Sequence, residues 1–149
     1  MKTTTALSKY VNVKDIIIPE YDDDVFEKNS QHEIFGGCVF RGDFLEILKQ
    51  HNLNSIGLIY ADFCGHYQTF VKPLFQYLEA NAASIRPGFM LGVTWSDNGA
   101  GNKTTRSKNF TDMGSFMTRA SFEMIDDPMV SETGYGDGGH MNVFFMVKK

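Results

Sequence analysis

An acid, a thiol and an imidazole lie within five residues of this sequence, as Asp62, Cys64 and His66. Histidine titrates near neutral pH and a carboxylate can hold one tautomer of its ring, so the segment is suited to general acid–base chemistry. Cys64 could also act as a nucleophile with His66 as its base, but no third group is evident to orient that base. The segment therefore favours proton transfer over covalent catalysis.

Acidic residues follow three apolar, strand-like segments. Glu20 follows residues 16–18, Asp43 follows residues 38–40 and Asp62 follows residues 55–61. Ligands of parallel sheets bind at the carboxyl ends of the strands, which makes these three carboxylates candidate ligand contacts. The alternative for Glu20 and Asp43 is a solvated acid at a strand end, and Asp43 is also placed to cap a following helix.

The elements that position these residues are predicted from hydrophobic spacing. Strands are expected at 15–18 (buried on both faces), 38–40, 55–61, 89–95, 122–125 and 142–147. Helices are expected at 22–28, 44–49, 66–85 and 111–120. Val25, Phe26 and Asn29 are expected on the inner side of the first helix. Pro73 is expected in the first turn of the third helix or at a kink, and Thr111 as the cap of the fourth. Residues 96–109 are expected to form a mobile surface loop.

This alternation predicts a three-layer α/β fold with a largely parallel sheet and an antiparallel C-terminal hairpin at one edge. The Gly-rich residues 134–139 precede a strand and not a helix, so a hairpin turn explains them better than a phosphate cradle does.

Three runs of the sequence, IIIPEYD at 16–22, VFRGDF at 39–44 and LIYADFCG at 58–65, resemble successive motifs of class I S-adenosylmethionine-dependent methyltransferases. The resemblance covers roughly residues 14–149 and implies a Rossmann-like sheet with antiparallel final strands. It implies that Glu20 binds the ribose, that Asp43 and Phe44 surround the adenine, and that Asp62, Phe63 and His66 line the methyl-transfer site. Asp62 would also border S-adenosylmethionine itself.

The family's Gly-rich turn after its first strand has no counterpart, since no glycine precedes Glu20. The resemblance thus implies an N-terminally shortened domain that lacks the first βα unit. A truncated gene, a half-site supplied by a second chain and a degenerate relative remain open explanations. We expect a homo-oligomer, or a protein partner that covers the missing unit. The alternative function is a non-catalytic protein that acts through protein–protein binding or self-association.

Composition limits the remaining classes. The 149 residues predict one domain, 1–149, and 14 basic against 18 acidic residues give a net charge of −4, which disfavours non-specific nucleic-acid binding. A nucleic-acid contact through the basic residues 103–108 is a weaker alternative. No apolar run is long enough for a membrane span, and we expect a soluble, cytoplasmic protein. The cysteines and histidines show no disulfide or metal-site spacing.

Overall fold

The computed structural model describes Lys9 and residues 12–63, 65–96, 103–125 and 141–149. The chain divides into two compact units, Met1–His51 and Asn52–Lys149. Both units combine helices and strands, which confirms the predicted α/β class. The prediction of a single domain over residues 1–149 stays a prediction.

The first unit consists of two strand–helix pairs. They are β1 (Ile18–Glu20), α1 (Asp23–Ser30), β2 (Val39–Arg41) and α2 (Phe44–Lys49). β1 and β2 are parallel, and Glu20 lies opposite Arg41 in the ladder. Buried apolar side chains of this unit are Phe35, Cys38, Val39, Ile47 and Leu48.

Both helices of the first unit begin at the predicted acids. Oδ1 of Asp22 accepts a hydrogen bond from the backbone N–H of Val25 at 3.0 Å. Oδ1 of Asp43 accepts from the N–H groups of Leu45 at 2.8 Å and Glu46 at 3.2 Å. Because these carboxylates satisfy N–H groups that the first helical turn leaves unpaired, they determine where each helix starts.

The predicted first strand is wrong in its bounds and in its burial. β1 begins only at Ile18, because Val13–Asp15 form a 3₁₀ turn in which the side chain of Asn12 accepts from the N–H of Lys14. Such local hydrogen bonds compete with a strand ladder. Ile17 is 38% exposed, and Val25, which was expected on the inner side of α1, is exposed as well.

The second unit contains a four-stranded sheet and two longer helices. They are β3 (Leu58–Asp62), α3 (Lys72–Ala80), β4 (Met90–Ser96), α4 (Lys103–Ala120), β5 (Phe122–Met124) and β6 (Met141–Lys148). The strand order is β3-β4-β6-β5. β3 and β4 are parallel, whereas β6 is antiparallel to both β4 and β5.

The antiparallel C-terminal strand pair is confirmed, but the expectation of a largely parallel sheet is not. β4 pairs with β3 along one edge and with β6 along the other, and the pairing with β6 is antiparallel. The described sheet of this unit is therefore mixed. Residues 134–139, the predicted hairpin turn, lie outside the described residues.

Aromatic side chains fill the space between this sheet and its helices. The ring of Trp95 on β4 lies 4.9 Å from that of Phe144 on β6 and 6.2 Å from that of Phe110 on α4. Phe75 of α3 stacks on Phe116 of α4 with centroids 4.1 Å apart. These contacts bury the sheet face that carries Trp95 under α3 and α4.

α4 is longer than predicted. It begins at Lys103, so residues 103–109 are helical and do not form the expected loop, while residues 97–102 are not described. Thr111 is no cap, because it lies inside α4 and its Oγ1 donates to the carbonyl of Ser107 at 3.0 Å. The polar side chain of Asn109 is buried and accepts a hydrogen bond from Gln68 at 2.9 Å. Because the buried residue at this position is polar, it does not contribute to an apolar helical pattern that the sequence could reveal.

Candidate functional site

In the second unit, the carboxylate of Asp62 is held by a hydrogen bond from the neighbouring strand. Asp62 at the end of β3 lies opposite Thr94 of β4, and Oγ1 of Thr94 donates to Oδ1 of Asp62 at 2.5 Å. Thr94 is buried, whereas Asp62 is exposed. No described residue donates a hydrogen bond to the other oxygen, Oδ2, so that oxygen can accept one from a ligand.

The segment after β3 is held across the end of β4. The backbone N–H of Ser96 donates to the carbonyl of Gly65 at 3.0 Å. The rings of Phe63 and Phe70 stack with centroids 5.7 Å apart and planes 25° apart. A Cβ atom on Gly65 would overlap the ring of Phe70, so glycine allows this ring to lie directly against the backbone.

A π-helical turn, Tyr67–Val71, precedes α3. The N–H of Lys72 bonds to the carbonyl of Tyr67, five residues earlier. Pro73 stands in the first turn of α3, which was one of the two placements left open by the sequence. Because a proline ring clashes with the carbonyl four residues before it, a regular α-helix does not continue through this position and the wider turn takes its place.

α3 ends at Ala80, before the predicted end at Ile85. The side chain of Asn81 donates to the carbonyl of Tyr77 at 2.8 Å and its backbone N–H bonds to the same carbonyl. These bonds close the last turn, and a 3₁₀ turn, Ala82–Ser84, follows.

His66 lies at the start of the π-helical turn. Its carbonyl accepts hydrogen bonds from the N–H groups of Thr69 at 3.1 Å and Phe70 at 3.2 Å, while its side chain is exposed. The contacts of the described residues include no hydrogen bond between His66 and Asp62. Cys64, the remaining member of the predicted trio, lies outside the described residues.

In the first unit the parallel pairing brings Glu20 and Asp43 to the same end of the sheet. The N–H of Gly42 donates to the carbonyl of Glu20 at 2.9 Å, and the φ of Gly42 is 148°, a conformation that favours glycine. This residue turns the chain from β2 into α2 and places Asp43 beyond the strand end. Phe44, the first residue of α2, is half-buried.

No described residue donates a hydrogen bond to the second carboxylate oxygen of either acid. Asp43 uses Oδ1 for both cap bonds, and Glu20 accepts the N–H of Asp22 through Oε1 at 3.2 Å. Two carboxylates at adjacent strand ends match the donors of an adenosine, namely a ribose diol and an exocyclic amine. The two carboxylates of this unit are hydrogen-bond acceptors of the kind that such donors require.

Arg41, to which the sequence analysis assigned no role, stands beside Glu20 in the ladder. Its Nε donates to Oδ1 of Asp23 at 2.9 Å, and its guanidinium lies 5.8 Å from the ring centre of Phe26. The hydrogen bond and the charge of Asp23 raise the pKa of Arg41 above its ordinary value. Arg41 thus links the end of β2 to the first turn of α1.

A second group of charges, also missed by sequence analysis, lines a cleft of about 160 Å³ between α3 and α4. Oδ2 of Asp112 is buried, and no described residue donates a hydrogen bond to it. Nζ of Lys72 lies 3.9 Å from this oxygen. Burial, and then the charge of Asp112, raise the pKa of Tyr67. These residues come from two helices, and no sequence spacing indicates that they meet.

The predicted site residues thus fall into two groups. Glu20, Asp43 and Phe44 belong to the first unit, and Asp62, Phe63 and His66 belong to the second. Of the basic residues 103–108, Lys108 is exposed on α4. Within the described ranges there is no cluster of three or more metal-ligating side chains and no helix long and apolar enough to cross a membrane.

Comparisons with known proteins return no relative. No protein-family model matches the chain, and neither the curated proteins nor the solved structures contain a match. The functional argument therefore depends on the residues and their geometry.

Proposed function

We propose that this protein binds S-adenosylmethionine and acts as a methyltransferase on a Rossmann-like sheet. The observation that carries the proposal is the pair of carboxylates, Glu20 and Asp43, at the adjacent carboxyl ends of β1 and β2. The mixed sheet with its antiparallel last strands and the carboxylate of Asp62 at the end of β3 support it. Ligands bind at such strand ends in open α/β sheets.

Glu20, Asp43 and Phe44 each contact a different part of the cofactor. Glu20 accepts hydrogen bonds from the two ribose hydroxyls, and Oδ2 of Asp43 accepts one from the adenine amino group while Oδ1 continues to cap α2. Phe44 lies next to Asp43 and supplies apolar surface for the adenine ring. Each charge-assisted hydrogen bond contributes about 1.5–3 kcal/mol.

Bound S-adenosylmethionine supplies a methyl group on a positively charged sulfur. Glu20, Asp43 and Phe44 would hold it, and it would supply an electrophilic methyl group to the acceptor. In the second unit, the resemblance assigns the uptake of the acceptor's proton to Asp62 or His66 and the border of the methyl-transfer site to Phe63. Alignment of the acceptor then accounts for much of the rate.

Titration calorimetry with S-adenosylmethionine and S-adenosylhomocysteine tests the proposal on the full chain. The sharpest variant is Asp43→Ser, because serine also caps helices and so removes the second oxygen and the charge without removing the cap. Asp22→Ser is the matched control, since Asp22 caps α1 in the same manner. Loss of the bond to Oδ2 in Asp43→Ser should weaken binding about tenfold or more, with little change in Asp22→Ser.

Two outcomes would contradict the proposal at different levels. Absence of binding by the wild-type chain at millimolar ligand would reject S-adenosylmethionine altogether. Equal affinity of Asp43→Ser and the wild type would reject the adenine contact alone.

We propose self-association as a second candidate function. In the described sheet β3 pairs with β4, and no described strand pairs with the other edge of β3. Leu58 and Met90, which are in register on these two strands, are both more than one-third exposed. An open edge beside exposed apolar side chains is suited to strand addition by a second copy. Analytical ultracentrifugation tests this, with Leu58→Lys expected to shift a dimer towards monomer; a wild-type monomer would exclude it.

A further inference from the structure

The two walls of the cleft between α3 and α4 carry charged groups in opposite order. Each wall presents one cation, one neutral polar residue and one anion. In chain order these residues are Lys72, Gln76 and Glu79 on α3 and Asp112, Ser115 and Arg119 on α4. The four formal charges cancel, so the cleft has no net charge that would attract a simple cation or anion. A ligand that carries charges of both signs is complementary to it.

The two ion pairs across the cleft differ in how closely their groups meet. Glu79 accepts hydrogen bonds from Nε and Nη2 of Arg119 at 2.5 and 2.9 Å, so these two residues satisfy each other. Nζ of Lys72 lies 3.9 Å from Oδ2 of Asp112, which is too far for a hydrogen bond. This oxygen is buried and receives no hydrogen bond from the described part of the chain. A buried polar atom without a partner indicates a place for a bound molecule.

The loose ion pair requires a ligand whose donor and acceptor lie close together. The carboxylate of Asp112 accepts hydrogen bonds and the ammonium group of Lys72 donates them. One small molecule can satisfy both when its own ammonium and carboxylate groups are joined through a single carbon atom, as they are in an α-amino acid. The side chains of Lys72 and Asp112 are 39% and 33% exposed, so both can move to admit such a ligand.

The size of the cleft limits the side chain that the ligand can carry. The cleft has a volume of about 160 Å³, which is room for about five water molecules. The rings of Phe75 and Phe116 line it and are stacked 4.1 Å apart. Both are at most 3% exposed, and a close-packed core does not yield space to a larger ligand. These dimensions suit glycine, alanine or serine and exclude an aromatic amino acid.

We propose that this cleft binds a small α-amino acid, whose ammonium group donates to the carboxylate of Asp112 and whose carboxylate accepts from Nζ of Lys72. None of the strand-end acids Glu20, Asp43 and Asp62 lines the cleft, so the site is independent of the proposed function. A ligand that contacts both helices also stabilises the folded chain by binding to it.

Calorimetry on the full chain tests the site with alanine, propionate and ethylamine. Propionate lacks the ammonium group of alanine, and ethylamine lacks its carboxylate. We expect alanine to bind and each analogue to bind at least about tenfold more weakly, as follows from the usual strength of a charge-assisted hydrogen bond. The midpoint temperature of unfolding should rise with the concentration of alanine. These measurements use the wild-type chain and do not depend on the folding of a variant.

Two variants test the assigned contacts. Asp112→Asn and Lys72→Gln remove one charge each, and each should weaken the binding of alanine about tenfold or more. Glu46→Gln and Lys49→Gln are the matched controls, because these residues form an exposed ion pair in the first unit. Both controls should bind alanine as the wild type does.

Four outcomes would overturn the proposal. They are absence of alanine binding by the wild type at millimolar concentration, equal affinity for alanine and either analogue, wild-type affinity in Asp112→Asn or Lys72→Gln, and binding of phenylalanine as tight as that of alanine. Displacement of alanine by S-adenosylmethionine would contradict a site separate from that of the cofactor. Binding of alanine without binding of S-adenosylmethionine would support this site and reject the proposed function alone.

Discussion

Oγ1 of Thr94 lies 2.5 Å from Oδ1 of Asp62, so a buried hydroxyl on β4 holds an exposed carboxylate at the end of β3. The two residues are 32 positions apart in the sequence and meet because the parallel ladder puts them in register. One oxygen of the carboxylate thereby accepts a bond from the fold, and no described residue donates a hydrogen bond to the other.

The energy of this contact is measurable with a double-mutant cycle of Thr94→Val and Asp62→Ala. Valine keeps the shape of threonine and removes the hydroxyl. We expect a coupling free energy of about 1 kcal/mol in urea unfolding, the usual net value of a hydrogen bond. A coupling near zero would show that water replaces the hydroxyl without cost.

Gly65→Ala should displace the ring of Phe70, because the new Cβ would overlap it. We expect a loss of about 1–3 kcal/mol in the free energy of unfolding, typical of overpacking. The same substitution in a Phe70→Ala background should cost much less, since the obstructing ring is gone. Equal costs in the two backgrounds would mean that the strain arises from the backbone of Gly65 and not from the ring.

Gly92→Ala and Gly114→Ala should change stability in opposite directions. A Cβ on Gly92 would lie 2.7 Å from the rings of both Tyr60 and Phe145, so we expect a loss of about 1–3 kcal/mol. At Gly114, on the exposed side of α4, a Cβ meets nothing within 4 Å, and alanine should stabilise the helix by about 0.5–1 kcal/mol. Urea unfolding measures the free energy of unfolding of both variants. A Gly92→Ala variant as stable as the wild type would contradict the close stacking of the two rings over this residue.

Tyr67 should make the protein less stable at alkaline pH. Burial and the charge of Asp112 raise its pKa in the folded state, whereas in the unfolded state it titrates near its usual value of about 10. Above that pH the unfolded chain loses a proton that the folded chain keeps, so the free energy of unfolding falls as pH rises. Urea unfolding from neutral pH to about pH 11 should show a shallower fall in Tyr67→Phe than in the wild type. If the free energy of unfolding fell equally with pH in both proteins, a raised pKa of Tyr67 would be excluded.

Glu79 should contribute stability at neutral pH that disappears in acid. Its two oxygens accept hydrogen bonds from Nε and Nη2 of Arg119 at 2.5 and 2.9 Å, and the bond from Arg119 lowers its pKa. The contribution is present above the ordinary pKa of 4.5 and is lost as the pH falls through the lowered value. Glu79→Gln should therefore be less stable than the wild type at neutral pH and equally stable near pH 2. A difference that persists in strong acid would have another cause.

Features that depend on neighbouring residues were predictable from the sequence. The starts of α1 and α2 at Asp22 and Asp43 are examples, since a cap bonds to N–H groups two or three residues away. The buried run of β4 is another, and Pro73 stands at one of the two placements that the sequence left open. The positions of acids at strand ends followed from the same local patterns, although the partners of those acids did not.

Features that depend on distant partners were not predictable. The sequence did not indicate that α4 extends back to Lys103, because Asn109 is polar and the residue that donates a hydrogen bond to it, Gln68, lies 41 residues earlier. The cleft that contains Tyr67 and Asp112 requires two helices to pack against each other.

The sequence by itself determined the α/β class, the caps of α1 and α2, and the apolar stripe at positions 67, 70, 71, 74, 75 and 78 of the π turn and α3, because hydrogen bonds and periodicity within a few residues set them. Only the tertiary structure decided that Phe70 leaves that stripe, that Thr94 meets Asp62 and that β6 lies between β4 and β5. The physical reason is that each of these depends on a contact whose partner is chosen by packing and strand register, and neither is encoded in local spacing.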